Sequence, residues 1–305
     1  MSENRKLSII IPDLSEIQVI VVDDKSTQHR EEYKRLREEF GKRRIEFYDN
    51  DGIKSAGTCR NIGLRHAAGE WLLFADADDY FMEGFYEGVS RYFDSDYDII
   101  FYPPTSIVPE TGKLSDRHVG TAKKVHDYCE NPDWKNTLEL RYKYQSPCSK
   151  LIRRAMVVEN EIWFEEILVS NDVMFSMKCG YAAKQITADQ QVIYCITMNK
   201  GSLTNRMSEE LYDIRTGVFF RRFSFLKERL TKEEMDYMEI NGRIKVFQAL
   251  QNGYGLKKVF GLLREYRRYG VKIWGWDLIT KAFHYVWVVF DQIKIRKRDK
   301  KYIVK

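Results

Sequence analysis

Two apolar, β-branched runs, Leu7–Ile11 and Ile17–Val22, are separated only by Pro12–Glu16. Each reads as a buried strand. Parallel neighbours need a crossover of roughly ten residues or more, which this connection cannot supply. Either the two runs pair antiparallel through a tight turn, or the first sits elsewhere. The second run delivers a pair of acids, Asp23-Asp24.

Strand and helix patterns alternate beyond it. Residues 30–40, REEYKRLREEF, form a charged helical stretch with Tyr33, Leu36, Arg37 and Phe40 on one stripe. Ile45–Tyr48 reads as a short strand, Gly57–Ala68 as a helix and Trp71–Ala75 as a buried strand. Gly84–Phe93 is a further helix and Asp98–Tyr102 a further strand. This alternation predicts an α/β domain, with a mostly parallel sheet flanked by helices. Sites in such sheets lie outside the carboxyl ends of the strands. Two strands end in acids there, at Asp23-Asp24 and at Asp76-Ala77-Asp78, so four carboxylates are expected along one edge. From residue 206 the pattern turns helical, over 209–229, 232–251, 256–269 and 273–293. The expected organisation is a catalytic domain over 1–205 and a helical C-terminal region over 206–305.

Net charge is +5, and residues 291–305 carry seven Lys or Arg against two Asp, which accounts for all of it. The remainder is balanced, which argues against a nucleic-acid-binding body. Five scattered cysteines, with no CxxC pair, argue against zinc or a disulfide framework and suit a cytoplasmic location. The N-terminal apolar run is too short for a signal peptide. The five histidines lack ligand-like spacing, and neither GxGxxG nor GxxxxGK[ST] occurs.

The segment Leu72–Tyr80, LLFADADDY, crowds carboxylates that stay ionised together only beside a cation or hydrogen-bond donors. Oxygen ligands in an open site suit Mg²⁺ or Mn²⁺, completed by water and substrate phosphates. An EF-hand does not match: counted from Asp76, Phe81 stands where Gly is needed and Glu87 is the twelfth residue's place. The plainer alternative is a polar strand end with Asp79 capping the next helix.

Taken together, SIIIP (8–12), VIVVDDKST (19–27), AGTCRNIGLRHAAGEWLLFADADDYF (56–81), SPCSKLIRR (146–154), VSNDVMFSMKCG (169–180) and KGSLTNR (200–206) resemble the inverting glycosyltransferases of family 2. The resemblance implies the GT-A fold, a Rossmann-like sheet flanked by helices. It implies transfer of a sugar from a nucleotide sugar, expected to be a UDP-sugar, to a hydroxyl acceptor with inversion, in surface polysaccharide or glycan assembly. Asp23, Asp24, Arg60 and Asp76 are then the nucleotide-sugar ligands, and Asp76 and Asp78 hold a divalent metal, Mn²⁺ or Mg²⁺. Asp172 is the expected general base, and Glu165 or Glu166 could serve in its place. Asn171 stands where the family often has Glu, and Asn171 or Asp172 is also a normal helix N-cap.

The family places a full helix between the SIIIP strand and the VDD strand, and that helix is missing here. A natural segment absent from the sequence is thus a third explanation of the short connection. The gap leads to an expectation of weakened donor binding. The rival enzyme class is a nucleotidyltransferase, which needs a Gly-rich phosphate loop that IIIPDLSEI lacks. The rival without catalysis is a degenerate, transferase-like binding protein.

In the last stretch, Trp276, Ile279, Phe283, Val286, Phe290 and Ile293 recur at helical spacing ahead of the basic tail. The charge-free run Ala282–Phe290 is too short to span a bilayer. Residues 273–305 are therefore expected to lie peripherally on the inner face of the membrane, which suits a lipid-linked acceptor, or to pack as a core helix.

Overall fold

The computed structural model describes residues 7–11, 17–40, 45–198 and 208–273. The chain divides into two compact units, Met1–Asn199 and Lys200–Lys305. In the first, the order is β1 (Leu7–Ile11), β2 (Val19–Asp23), α1 (Arg30–Phe40), β3 (Ile45–Asp49), α2 (Ala56–His66), β4 (Trp71–Asp76), β5 (Tyr80–Phe81), α3 (Phe85–Ser90), β6 (Ile99–Phe101), β7 (Thr105–Val108) and β8 (Lys113–Leu114). It continues with α4 (Val119–Glu130), α5 (Trp134–Lys143), β9 (Lys150–Arg153), α6 (Arg154–Glu159), α7 (Asp172–Ala182), β10 (Ile186–Ala188) and β11 (Tyr194–Thr197).

Among the described residues the strands form a seven-stranded sheet, β10-β6-β9-β4-β1-β2-β3, and a four-stranded sheet, β5-β11-β7-β8. The expected α/β class holds, with a mixed ladder. β2, β3, β4, β6 and β10 share one direction, while β1 and β9 run against them. The reversal of β1 follows from its short link to β2, which cannot cross over. It pairs antiparallel with β2 on one side and β4 on the other. The expectation of an antiparallel pairing is the one realised.

The apolar runs explain the core. Ile20 and Val22 on β2, Trp71–Ala75 on β4, Ile99–Phe101 on β6 and Leu151–Ile152 on β9 are buried and pack together. Continuous apolar strands are what a sheet covered on both faces requires. Phe164 stacks on Phe175 of α7 with ring centroids 3.7 Å apart, and both meet Phe74 of β4 edge-on. This aromatic trio anchors the chain ahead of α7 to the middle of the sheet.

The second unit contains α8 (Glu209–Lys227), α9 (Lys232–Met238), α10 (Arg243–Gln251) and α11 (Gly255–Tyr269). Phe220, Phe223, Leu262, Tyr266 and Val271 form one buried cluster; Tyr212, Ala249 and Val259 form another. The single helix expected over 232–251 is broken into α9 and α10. Glu239 is left-handed at the break, and Gly242 lies so close to Tyr266 that a Cβ would come within 2.3 Å of its ring. The helix expected over 273–293, the basic tail and the segment 200–206 lie outside the described residues. No helix among the described residues is long and apolar enough to cross a membrane.

Candidate functional site

Strand register decides which acids meet. Leu7 of β1 lies opposite Asp23, and Ser8 lies opposite Asp76. Asp23 and Asp76 therefore flank the amino end of β1, about 10 Å apart at two strand spacings. Asp23 also pairs with Asp49 of β3, and Phe101 of β6 pairs with Lys150 of β9 along the same edge. The carboxyl end of β1 points the other way.

Asp23 and Asp24 are both buried. One Asp23 carboxylate oxygen accepts the Ser26 backbone N–H at 3.0 Å, and its carbonyl accepts the Asn50 N–H at 2.9 Å. The Asn50 amide donates to Asp24 Oδ1 at 2.7 Å and to the Ile53 carbonyl at 2.9 Å. Its own oxygen accepts the Gly52 N–H at 2.8 Å. Asn50 thus locks the loop after β3 against the acid pair after β2.

Helix α2 starts cleanly because the Ser55 hydroxyl accepts the Thr58 N–H at 3.1 Å. Three residues at helical spacing, Gly57, Arg60 and Asn61, then receive the loop that leads into α7. Gly57 has no Cβ because one would sit 2.2 Å from the Glu165 carbonyl oxygen. Asn61 Oδ1 accepts the Phe164 N–H at 2.9 Å, while its amide donates to the Phe164 carbonyl at 3.0 Å and to Glu166 at 3.1 Å. Arg60 is 4% exposed. Its Nη1 donates to Asn171 Oδ1 at 2.9 Å, and its Nη2 forms a short ion pair with Asp76. Its Nε is buried without a partner, and the guanidinium lies 5.4 Å from the Phe164 ring centroid. Burial works against the Arg60 charge, but Asp76 and Asp172 together raise its pKa above the ordinary arginine value.

Asn171 occupies the N-cap position of α7, yet its side chain makes no capping bond: its Oδ1 accepts from Arg60 and its amide donates to the Ile167 carbonyl at 3.3 Å. Asp172 is the first residue of α7. Burial raises its carboxyl pKa above the ordinary value, and Asp76 acts in the same direction; Arg60 and Lys150 oppose them. Glu165 donates its N–H to the Asn171 carbonyl at 3.2 Å, and Glu166 is exposed and tied to Asn61.

The turn after β4 is tied to the smaller sheet. The buried Tyr194 hydroxyl accepts the Asp76 N–H at 2.9 Å and donates to Asp79 at 2.8 Å. Asp79 also accepts the Thr197 N–H at 2.8 Å. Burial and the neighbouring Asp76 push Asp79 up to about 7. Asp79 does not cap α3, whose N-cap is Gly84. Asp78 is exposed, and the Asp76 side chain is 41% exposed despite its pairing with Arg60.

Among the described residues no group of three His, Cys, Asp or Glu could hold a metal. The donor set instead fits the mode in which one or two carboxylates share a hard cation with substrate phosphates. Asp76, one of whose oxygens is taken by Arg60, and the exposed Asp78 are the carboxylates at this open rim.

Gly57, Asn61, Tyr194 and Lys150 were not singled out from sequence. The spacing of Gly57 and Asn61 about Arg60 was a visible signal for one helix face. Lys150 shares the four-residue strand KLIR with Arg153, so nothing in the sequence set it apart. It is buried, donates to the Tyr144 carbonyl at 2.6 Å and lies 4.4 Å from that ring's centroid. Burial pushes its pKa down to about 7.

The comparisons agree with this architecture. The family model described as glycosyl transferase family 2 matches residues 6–159. The protein named glycosyltransferase EpsH from Bacillus subtilis (strain 168) is 24% identical over 228 residues, covering 72% of this chain and 64% of its own length. The poly(ribitol-phosphate) beta-N-acetylglucosaminyltransferase TarS of Staphylococcus aureus (strain Mu50 / ATCC 700699) is 27% identical over 249 residues, covering 80% of this chain. The chain spans 64% and 41% of the lengths of these two curated relatives. The crystal structure of S. aureus TarS 1–349 in complex with UDP-GlcNAc matches with a TM-score of 0.52 at 19% identity, covering 79% of this chain and 66% of that one, a likeness of fold. With the family model matched across half its length, the chain belongs to glycosyl transferase family 2.

Proposed function

We propose that the protein is an inverting, metal-dependent transferase that moves a sugar from a UDP-sugar to a hydroxyl of a glycan or lipid-linked acceptor. Asp23 and Asp24 bind the nucleotide; as carboxylates they accept hydrogen bonds from a base N–H or ribose hydroxyls. Asp76 and Asp78 hold Mn²⁺ or Mg²⁺, which when bound neutralises charge on the diphosphate leaving group. Arg60 serves the nucleotide side by fixing Asp76. Asp172 takes the proton of the acceptor hydroxyl as that oxygen attacks the anomeric carbon, on the face opposite the departing diphosphate. Its raised pKa places it closer to the range where a carboxylate is an effective base.

One observation carries this reading: Arg60 bridges Asp76, at the donor acids, to Asn171, next to the proposed base. A single buried side chain thus ties the two halves of the chemistry. TarS acts with N-acetylglucosamine by name and is seen with UDP-GlcNAc, so UDP-GlcNAc is the first donor to test. Five free thiols suit a cytoplasmic site of action.

The test is UDP release by the purified protein across a panel of UDP-sugars, with Mn²⁺ or with chelator, and the anomeric configuration of the product by NMR. Release that needs metal and gives inverted product supports the reading; retained configuration, or turnover unaffected by chelation, overturns it. The reversal of β1 favours a second reading, a binding protein without turnover. That reading predicts UDP affinity with no release for any donor.

A further inference from the structure

The outward face of α11 has a composition that its neighbours do not explain. Its inward face, Val259, Leu262 and Tyr266, is buried in the core of the helical unit. At 100° per residue, Leu256, Phe260, Arg264, Arg267, Lys257 and Arg268 all fall in one arc of about 120° on the opposite side. All six are exposed, Leu256 at 65% and Phe260 at 67%. No acid lies in that arc. Glu265 lies about 60° beyond its edge, half-covered, and bridges back to Arg268 at 3.5 Å. Residues 240–273 hold eight Lys or Arg and one acid, and of these cations Lys258 and Lys272, both off this face, pair with acids of α8 and α9.

A helix face that meets only water usually mixes charges of both signs, as α1 of this chain does: Arg30, Lys34 and Arg37 alternate with Glu31, Glu38 and Glu39. On α11 a large aliphatic and an aromatic side chain stand one turn apart among four cations, of which Arg268 reaches an acid, Glu265, outside that face. Such a convex, basic and apolar face is complementary to a broad, flat and negative surface with an oily layer beneath it. We propose that the outward face of α11 docks on an anionic lipid bilayer, with Leu256 and Phe260 entering the interface and Lys257, Arg264, Arg267 and Arg268 meeting the phosphates. This contact involves no sugar transfer.

The test uses the full chain and flotation with vesicles of phosphatidylcholine, with and without phosphatidylglycerol. Binding is expected only when phosphatidylglycerol is present, and it should fall as salt is raised. Arg264→Glu with Arg267→Glu should weaken partition roughly tenfold or more. Leu256→Ser with Phe260→Ser should weaken it as well, with an unchanged melting temperature, because these side chains are exposed. To place the contact on α11, F260W is compared with the parent chain and its six tryptophans on vesicles of brominated lipid. Added quenching from the new indole supports the proposal. It is overturned if vesicles bind while that indole stays unquenched, which would put the contact elsewhere in the chain. It is equally overturned if vesicles do not bind and R264E/R267E instead changes self-association, which would make the occupant a second copy.

Discussion

Replacing Gly57 with alanine should separate the geometry of the site from the stability of the fold. The added Cβ would lie 2.2 Å from the Glu165 carbonyl oxygen and 2.9 Å from Asn171 Cβ. Real Cβ atoms essentially never approach within 3.0 Å, so α2 and the loop before α7 must part by about 0.8 Å. Alanine is better than glycine in a helix by about 1 kcal/mol, and overpacking costs about 1–3 kcal/mol. The net loss of stability is then about 0–2 kcal/mol. Transfer should suffer more, because that loop delivers Asp172, and a misplacement near 1 Å costs a catalytic step about 100-fold. UDP release at saturating donor measures the rate, thermal melting the stability, and calorimetry the UDP affinity. UDP affinity should fall less than turnover, since Asp23 and Asp24 lie on other elements and only Arg60 shares α2 with Gly57. Gly57→Ala with turnover within about twofold of the parent would refute the claim that this contact positions the base.

Asp172→Asn should lower turnover by about 10²–10⁴-fold and leave UDP affinity intact. Because burial raises the Asp172 pKa, activity should be lost as pH falls through a value above the ordinary carboxylate range; an acid limb near pH 4 in kcat would contradict this. Arg60→Met leaves Asp76 and Asn171 without their shared partner. Asp76 is 41% exposed, so water screens the loss to about 1–2 kcal/mol in a urea melt, while affinity for UDP with Mn²⁺ should fall. Lys150 titrates at about 7 in the folded chain, below its ordinary 10.5, so between those values the folded state holds fewer protons than the unfolded one. Stability should therefore rise with pH, by about 2 kcal/mol from pH 7 to 9 at 1.36 kcal/mol per unit, and Lys150→Met should lack this rise.

Much of the architecture could be read from local pattern. The apolar runs of β2, β4 and β6 and the charged helix α1 fall where periodicity put them, because burial of a strand or a helical stripe is written into neighbouring residues. The placement of acids at one edge followed from strand direction alone. What stayed hidden depends on residues far apart in the chain. Nothing near Asn171 shows that Arg60, 111 positions earlier, will take its side chain in place of a capping bond. Asp79 reads as a cap from sequence, and only the arrival of Tyr194 and Thr197 on β11 turns it into a tie between sheets. The break between α9 and α10 has the same origin, since Gly242 yields to the ring of Tyr266.

The reversed β1 shows how a fold can lose a crossover and keep its acidic edge. Had β1 been parallel to its neighbours, a helix would have been needed to return the chain to β2. With a short link the strand turns over. β2 and β4 still share a direction, because each is antiparallel to the same partner. Asp23 and Asp76 therefore remain at the same edge, on either side of β1, whose ladders fill the space between their strands. On the β2 side the Asn50 side chain ties the loop after β3 to Asp24 and holds that loop through Ile53 and Gly52, so Asn50→Ala loses three hydrogen bonds and should weaken UDP binding, as calorimetry would show, if Asp24 serves the nucleotide as proposed.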